Sequence, residues 1–172
     1  MIQLTDLIRD IQDFPKPGIV FKDITPLLAD PAGLAMAVEL MASPYRSQNI
    51  DLVCGAESRG FIFGTAIAQS LSAGFIPIRK PGKLPHKTRA ISYDLEYGSD
   101  TLEIHEDAIQ PGKKILMVDD LLATGGTMKA SCELIASLGG TIAGITVLIE
   151  LNDLKGRKHL GGPIDVHAVI NY

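Results

Sequence analysis

The stretch Ile115-Leu116-Met117-Val118-Asp119-Asp120-Leu121-Leu122-Ala123-Thr124-Gly125-Gly126-Thr127 constrains this chain more than any other. An apolar run of this kind predicts a buried strand, and it ends abruptly in two adjacent carboxylates. A loop of small residues then runs into a helix starting near Gly126. Strand, small-residue loop and helix start together form an anion site, because unhindered backbone N–H groups converge at the positive end of the helix. Ala123, Thr124, Gly125, Gly126 and Thr127 are the candidate phosphate cradle, with hydroxyl donors from Thr124 and Thr127.

The carboxylates narrow the ligand. A nucleotide-hydrolysing P-loop carries Lys directly after its last Gly, whereas Gly126 is followed by Thr127-Met128-Lys129. Two anionic side chains beside a phosphate would repel it unless they face another part of the same molecule, such as sugar hydroxyls. A ribose 5-phosphate satisfies both demands, with its phosphate on the loop and its hydroxyls on Asp119 and Asp120.

Alternating strand and helix signals along the chain predict an α/β fold: a mostly parallel twisted sheet flanked by helices. Expected strands lie at 50–54, 75–78, 115–118 and 142–148. Expected helices include one starting at Pro31, capped by Asp30, with Leu34, Val38 and Met41 on its apolar face. Leu4, Leu7, Ile8 and Ile11 have helical spacing and predict an amphipathic helix over the first dozen residues, followed by an irregular segment to Thr25-Pro26. Residues 79–89 form a basic loop with Arg79, Lys80, Lys83, His86, Lys87 and Arg89 among Pro and Gly. Ile91 to Ile104 alternates in polarity and turns at Gly98-Ser99-Asp100, which predicts a β-hairpin arm with Glu96 on its polar face. Segments 1–30 and the tail after Asn152 fall outside the repeat and are expected to form a small cap over a core of about 31–150, within a single domain. In such a sheet, ligands gather at the carboxyl ends of the strands, where loops 55–60, 79–89 and 119–127 should meet.

Composition sets the remaining bounds. A chain of 172 residues that is 46% hydrophobic supports one core, enough to bury about 70% of the unfolded surface. A net charge of −4 argues against a nucleic-acid binder that depends on broad positive potential. No run approaches a membrane span, the N-terminus lacks a secretory signal, and Cys54 and Cys132 have no metal or redox spacing. A cytoplasmic protein with two reduced, buried thiols is expected, without nucleic-acid or membrane partners.

The Asp-Asp and Gly-Gly segments, the basic loop, Phe14-Pro15-Lys16-Pro17-Gly18-Ile19-Val20-Phe21-Lys22-Asp23-Ile24-Thr25-Pro26, Glu57-Ser58-Arg59-Gly60-Phe61 and Tyr93-Asp94-Leu95-Glu96-Tyr97-Gly98 together resemble the type I phosphoribosyltransferase family, in its adenine-specific branch. The resemblance spans most of the chain. It implies transfer of a phosphoribosyl group from 5-phosphoribosyl 1-diphosphate to adenine, giving AMP and diphosphate. It further implies that Ser58, Arg59, Lys80, Lys83 and His86 meet the diphosphate, the latter three as a lid. It places adenine against Phe21 and Leu121, with its edge read near Val20 and Lys22, and makes Glu96 an acid or base beside the purine. It also implies Mg2+ carried mainly by ligand oxygens and water, so that no protein metal ligand is assigned, a cis peptide between Glu57 and Ser58, and a homodimer. Relatives often have Arg in place of Lys22, which preserves charge but loses any bidentate contact. Two other readings stay open on residues alone: transfer to a 6-oxopurine or orotate, and a non-catalytic regulator sensing phosphoribosyl diphosphate.

Overall fold

A computed structural model describes residues 3–94 and 98–172. Its chain falls into two compact units, residues 1–40 and 41–172. In the first, a single 3-10 turn at Leu4–Leu7 leads to β1 (Arg9–Gln12), which pairs antiparallel with β2 (Val20–Asp23). The expected N-terminal helix is therefore limited to one turn. Ile8 is already extended at φ −109° and ψ 127°, and the turn after Gln12 folds the chain back: Asp13 Oδ1 accepts the Gly18 N–H at 2.7 Å and Ile19 O accepts the Phe14 N–H at 3.2 Å. Strand pairing satisfies the backbone of both segments, which a short helix in isolation does only marginally.

The segment expected to be irregular up to Thr25-Pro26 is thus partly strand. It passes into helix α1 (Thr25–Ala29), where the Asp23 carboxylate accepts the Thr25 N–H at 2.9 Å and hydroxyl at 2.6 Å. Helix α2 (Pro31–Ala42) follows, and Asp30 Oδ1 accepts the Gly33 N–H at 2.7 Å, the cap expected from sequence.

The second unit is built on a five-stranded parallel sheet. Its strands are β3 (Leu52–Ala56), β4 (Gly74–Ile78), β7 (Lys114–Leu122), β8 (Thr141–Glu150) and β9 (Val166–Asn171), ordered β4-β3-β7-β8-β9. Helix α3 (Arg59–Leu71) links β3 to β4, and α4 (Gly126–Ser137) links β7 to β8. The antiparallel pair β5 (Thr88–Asp94) and β6 (Ser99–His105) forms the hairpin arm. One basic-loop residue, Arg89, sits inside β5. The tail beyond Asn152 contributes more than a cap: after the short helix α5 (Gly156–His159), β9 joins the sheet as its fifth strand, with Val166 and Ile170 buried.

The core explains this order. Ile115, Leu116, Met117 and Val118 on the central strand and Ile145, Val147, Leu148 and Ile149 beside it are all at most 1% exposed. Such strands, covered on both faces, read as continuous apolar runs. Burial of each such aliphatic side chain contributes about 2 kcal/mol as an upper estimate. From β3 the chain crosses to β4 on one side and later returns as β7 on the other. That reversal opens a crevice at the carboxyl ends of β3 and β7, where ligands of such sheets bind.

Candidate active site

A cleft of about 320 Å³ occupies this crevice, lined by Glu57, Ser58, Arg59 and the continuous run from Asp119 to Met128. The structure thus brings together Ser58, Arg59, Asp119, Asp120, Leu121, Ala123, Thr124, Gly125, Gly126 and Thr127. Loop and helix geometry suit an anion. Gly125 has φ +87° and precedes the first turn of α4, whose leading N–H groups have no intrahelical acceptor. A Cβ on Gly125 would stand 2.6 Å from Gly156 O, so glycine is required there for both conformation and space.

The tail braces this loop. His159 Nδ1 lies 2.8 Å from Thr124 O. Arg157 donates Nε to both Glu150 oxygens at 2.8 and 2.9 Å, while its Nη1 donates to Val166 O at 2.6 Å. These residues carry no local motif. Their role arises from a return of the chain after β8, which no spacing in the sequence encodes.

Both carboxylates line the same cleft. Arg59 Nε donates to Asp120 Oδ2 at 2.5 Å, and Asp120 is 5% exposed. Asp119 is partly open to the cleft and its Oδ1 accepts the Asp120 N–H at 2.9 Å. Desolvation and, next, the Asp120 charge push the Asp119 carboxyl well above the usual carboxylate range, against the opposing pull of that N–H and of Arg59. Gly60 lets α3 approach this closely, since a Cβ there would stand 3.1 Å from Asp119 Oδ1. The Glu57–Ser58 peptide is cis, as the family resemblance implied.

The basic loop is anchored beside the cleft without lining it. Glu57 accepts the Arg79 Nε at 3.2 Å and the Lys80 N–H at 2.7 Å, and Arg79 lies over the Phe61 ring at 5.9 Å. The Lys80 ammonium pairs with Asp100. Lys83 is exposed and His86 N–H donates to His105 Nε2 at 3.4 Å. Of the residues expected at adenine, Leu121 lines the cleft, while Val20, Phe21 and Lys22 stand on β2 of the first unit. There Phe21 meets Phe14 edge to face at 5.2 Å, and Lys22 Nζ donates to Asp10 at 2.8 Å. Glu96 lies outside the described residues. Among the described residues no cluster of three or more His, Cys, Asp or Glu side chains is arranged to hold a metal, and no helix is long and apolar enough to cross a membrane.

Comparison with known proteins agrees with this geometry. The family model of the phosphoribosyl transferase domain matches residues 23–166. The chain is 57% identical over 169 residues to adenine phosphoribosyltransferase of Acidobacterium capsulatum, covering 98% of this chain and 93% of that relative. The structure aligns with adenine phosphoribosyltransferase from Thermoanaerobacter pseudethanolicus at a TM-score of 0.95 and 48% identity, over 98% of each chain. It aligns with the Giardia lamblia enzyme complexed with 9-deazaadenine at a TM-score of 0.93 and 38% identity, over 100% of this chain and 99% of that one. These matches do not favour the 6-oxopurine, orotate or regulator readings. On a cleft built from a paired-aspartate strand end and a glycine-braced helix start, and on these near full-length matches, the chain belongs to the phosphoribosyltransferase family, among the adenine-specific enzymes of purine salvage.

Proposed function

We propose that the cleft carries out phosphoribosyl transfer to adenine with the following division of labour. Ala123, Thr124, Gly125, Gly126 and Thr127 hold the 5-phosphate, and Asp119 and Asp120 take the ribose hydroxyls. Their negative charge also favours the cationic ribose that develops as the bond from C1 to diphosphate breaks and the bond to adenine N9 forms. Arg59 and Ser58 receive the diphosphate, with Lys80, Lys83 and His86 closing over it. For Arg59 this means exchanging its bond to Asp120 for the arriving anion. Val20, Phe21, Lys22 and Leu121 are assigned to adenine, and Glu96 to the N9 proton released as the bond forms. The Giardia relative's complex with 9-deazaadenine supports adenine as the base transferred to.

Mg2+ is expected from the family resemblance, carried mainly by the oxygens of the bound ligand and by water. When bound, it would neutralise charge on the departing diphosphate. No side chain of this chain is assigned to it. A homodimer is expected from the family, and buried thiols at Cys54 and Cys132 suit a cytoplasmic setting.

One observation carries the reading: the anion cradle and the paired carboxylates share one cleft at the carboxyl end of β7. A diphosphate-release assay against a panel of bases tests it. Turnover with adenine and none with guanine, hypoxanthine or orotate supports the assignment. The reverse pattern would overturn it.

A further inference from the structure

The carbonyl groups of the phosphate loop are held from behind by the tail. His159 Nδ1 lies 2.8 Å from Thr124 O, and because a carbonyl only accepts, Nδ1 carries the proton and donates it. One residue earlier, Ala123 O packs so closely on the Gly156 backbone that a Cβ on Gly156 would collide with it. Two successive carbonyls thus face residues 156–159.

Peptide geometry turns this into a statement about donors. A trans peptide is planar, with its C=O and the following N–H pointing in opposite directions, and the cis bonds among the described residues lie elsewhere, at Phe14–Pro15 and Glu57–Ser58. The N–H groups of Thr124 and Gly125 therefore point away from the tail. On that side is the cleft, lined by Glu57, Ser58, Arg59 and residues 119–128. Successive N–H groups turned to one side form an anion-binding concavity.

The support behind the loop is itself fixed. Arg157, two residues before His159, donates to both Glu150 oxygens and to Val166 O, which ties α5 to β8 and β9. Glu150 and Leu160 on either side of this stretch are buried, whereas His159 is exposed. Its ring fills no cavity in the core, and what it contributes is one donor at one place.

We propose that His159 is a positioning residue for the 5-phosphate: by holding Thr124 O toward the tail it keeps the Gly125 N–H aimed into the cleft, and so sets affinity for phosphorylated sugars without touching them. This rests on the assignment of residues 123–127 to a 5-phosphate. Without the bond the Thr124–Gly125 peptide is free to turn over, because glycine offers little resistance to rotation on its side. The fraction of loops ready for the anion then falls, and apparent affinity falls with it.

Calorimetric binding of ribose 5-phosphate to four proteins tests this. His159→Ala should weaken binding about five-fold, the worth of one net hydrogen bond. His159→Asn places an amide N–H where Nδ1 stands and should restore most of that loss, while His159→Gln places its amide one carbon farther out and should not. In steady-state kinetics the KM for 5-phosphoribosyl 1-diphosphate should rise in the Ala and Gln variants with kcat held, since saturating ligand imposes the competent loop; the Asn and Gln variants carry the comparison if His159→Ala fails to fold. Wild-type affinity in His159→Ala, or an Asn variant no better than Gln, would overturn the role of His159 while leaving the phosphate loop in place. Wild-type protein that does not bind ribose 5-phosphate would instead overturn the loop assignment itself.

Discussion

Arg59 and Asp120, 61 positions apart, meet at 2.5 Å in the lining of the cleft. The cation expected at the diphosphate and a carboxylate expected at the ribose thus hold each other. Asp119→Asn combined with Asp120→Asn removes both negative charges at the ribose while keeping side-chain size, and should reduce kcat/KM by at least 10²-fold while circular dichroism stays unchanged. Near-normal activity in the folded double variant would refute the ribose assignment.

The raised Asp119 carboxyl carries a stability signature. Its folded value lies above the unfolded value of about 3.9. Between those two values the folded state holds a proton that the unfolded chain has lost, so stability falls as pH rises through this window and the penalty is full above it. Asp119→Asn should therefore raise Tm by a few degrees at pH 7, and the gain should shrink as pH approaches about 4. Thermal melts across pH check this. A variant melting lower than wild type at pH 7 would contradict it.

Gly125→Ala forces a left-handed conformation on a residue with a Cβ and drives that Cβ toward Gly156 O. The conformational cost alone is about 1–2 kcal/mol. Lower Tm together with weakened binding of AMP is expected by differential scanning fluorimetry and calorimetry, because the same loop carries both fold and cradle.

Glu96→Gln keeps size and polarity but removes the acceptor for the adenine N9 proton. Steady-state kinetics should show kcat falling more than KM rises. An unchanged kcat would remove Glu96 from the chemistry.

Burial raises both thiols, Cys54 and Cys132, to about 12. The thiolate is the reactive form, so neither should react with a disulfide reagent in the native protein, and both should react after unfolding. Native titration of either thiol on the minute timescale would mean that the core opens locally.

Much of the site was legible because its chemistry is local. The apolar run 115–118, the carboxylates after it and the glycines opening α4 are contiguous, so strand, loop and helix start could be placed from composition and spacing alone. What was misread depended on partners distant in sequence. Leu4, Leu7, Ile8 and Ile11 satisfy helical spacing, yet β2 supplies a pairing partner that no window around residue 10 contains. Val166 to Asn171 is too short a stretch to announce a strand, and pairing with β8 decides its fate. The contacts of His159 with Thr124 and of Tyr93 with Thr127 span 35 and 34 positions and likewise left no local trace.

The central claim is that the end of β7 grips a sugar phosphate, and a crystal structure of the protein soaked with AMP tests it most directly. The account predicts the phosphate against the backbone amides of residues 123–127 and the ribose hydroxyls against Asp119 and Asp120. Nucleotide seated anywhere else would contradict it.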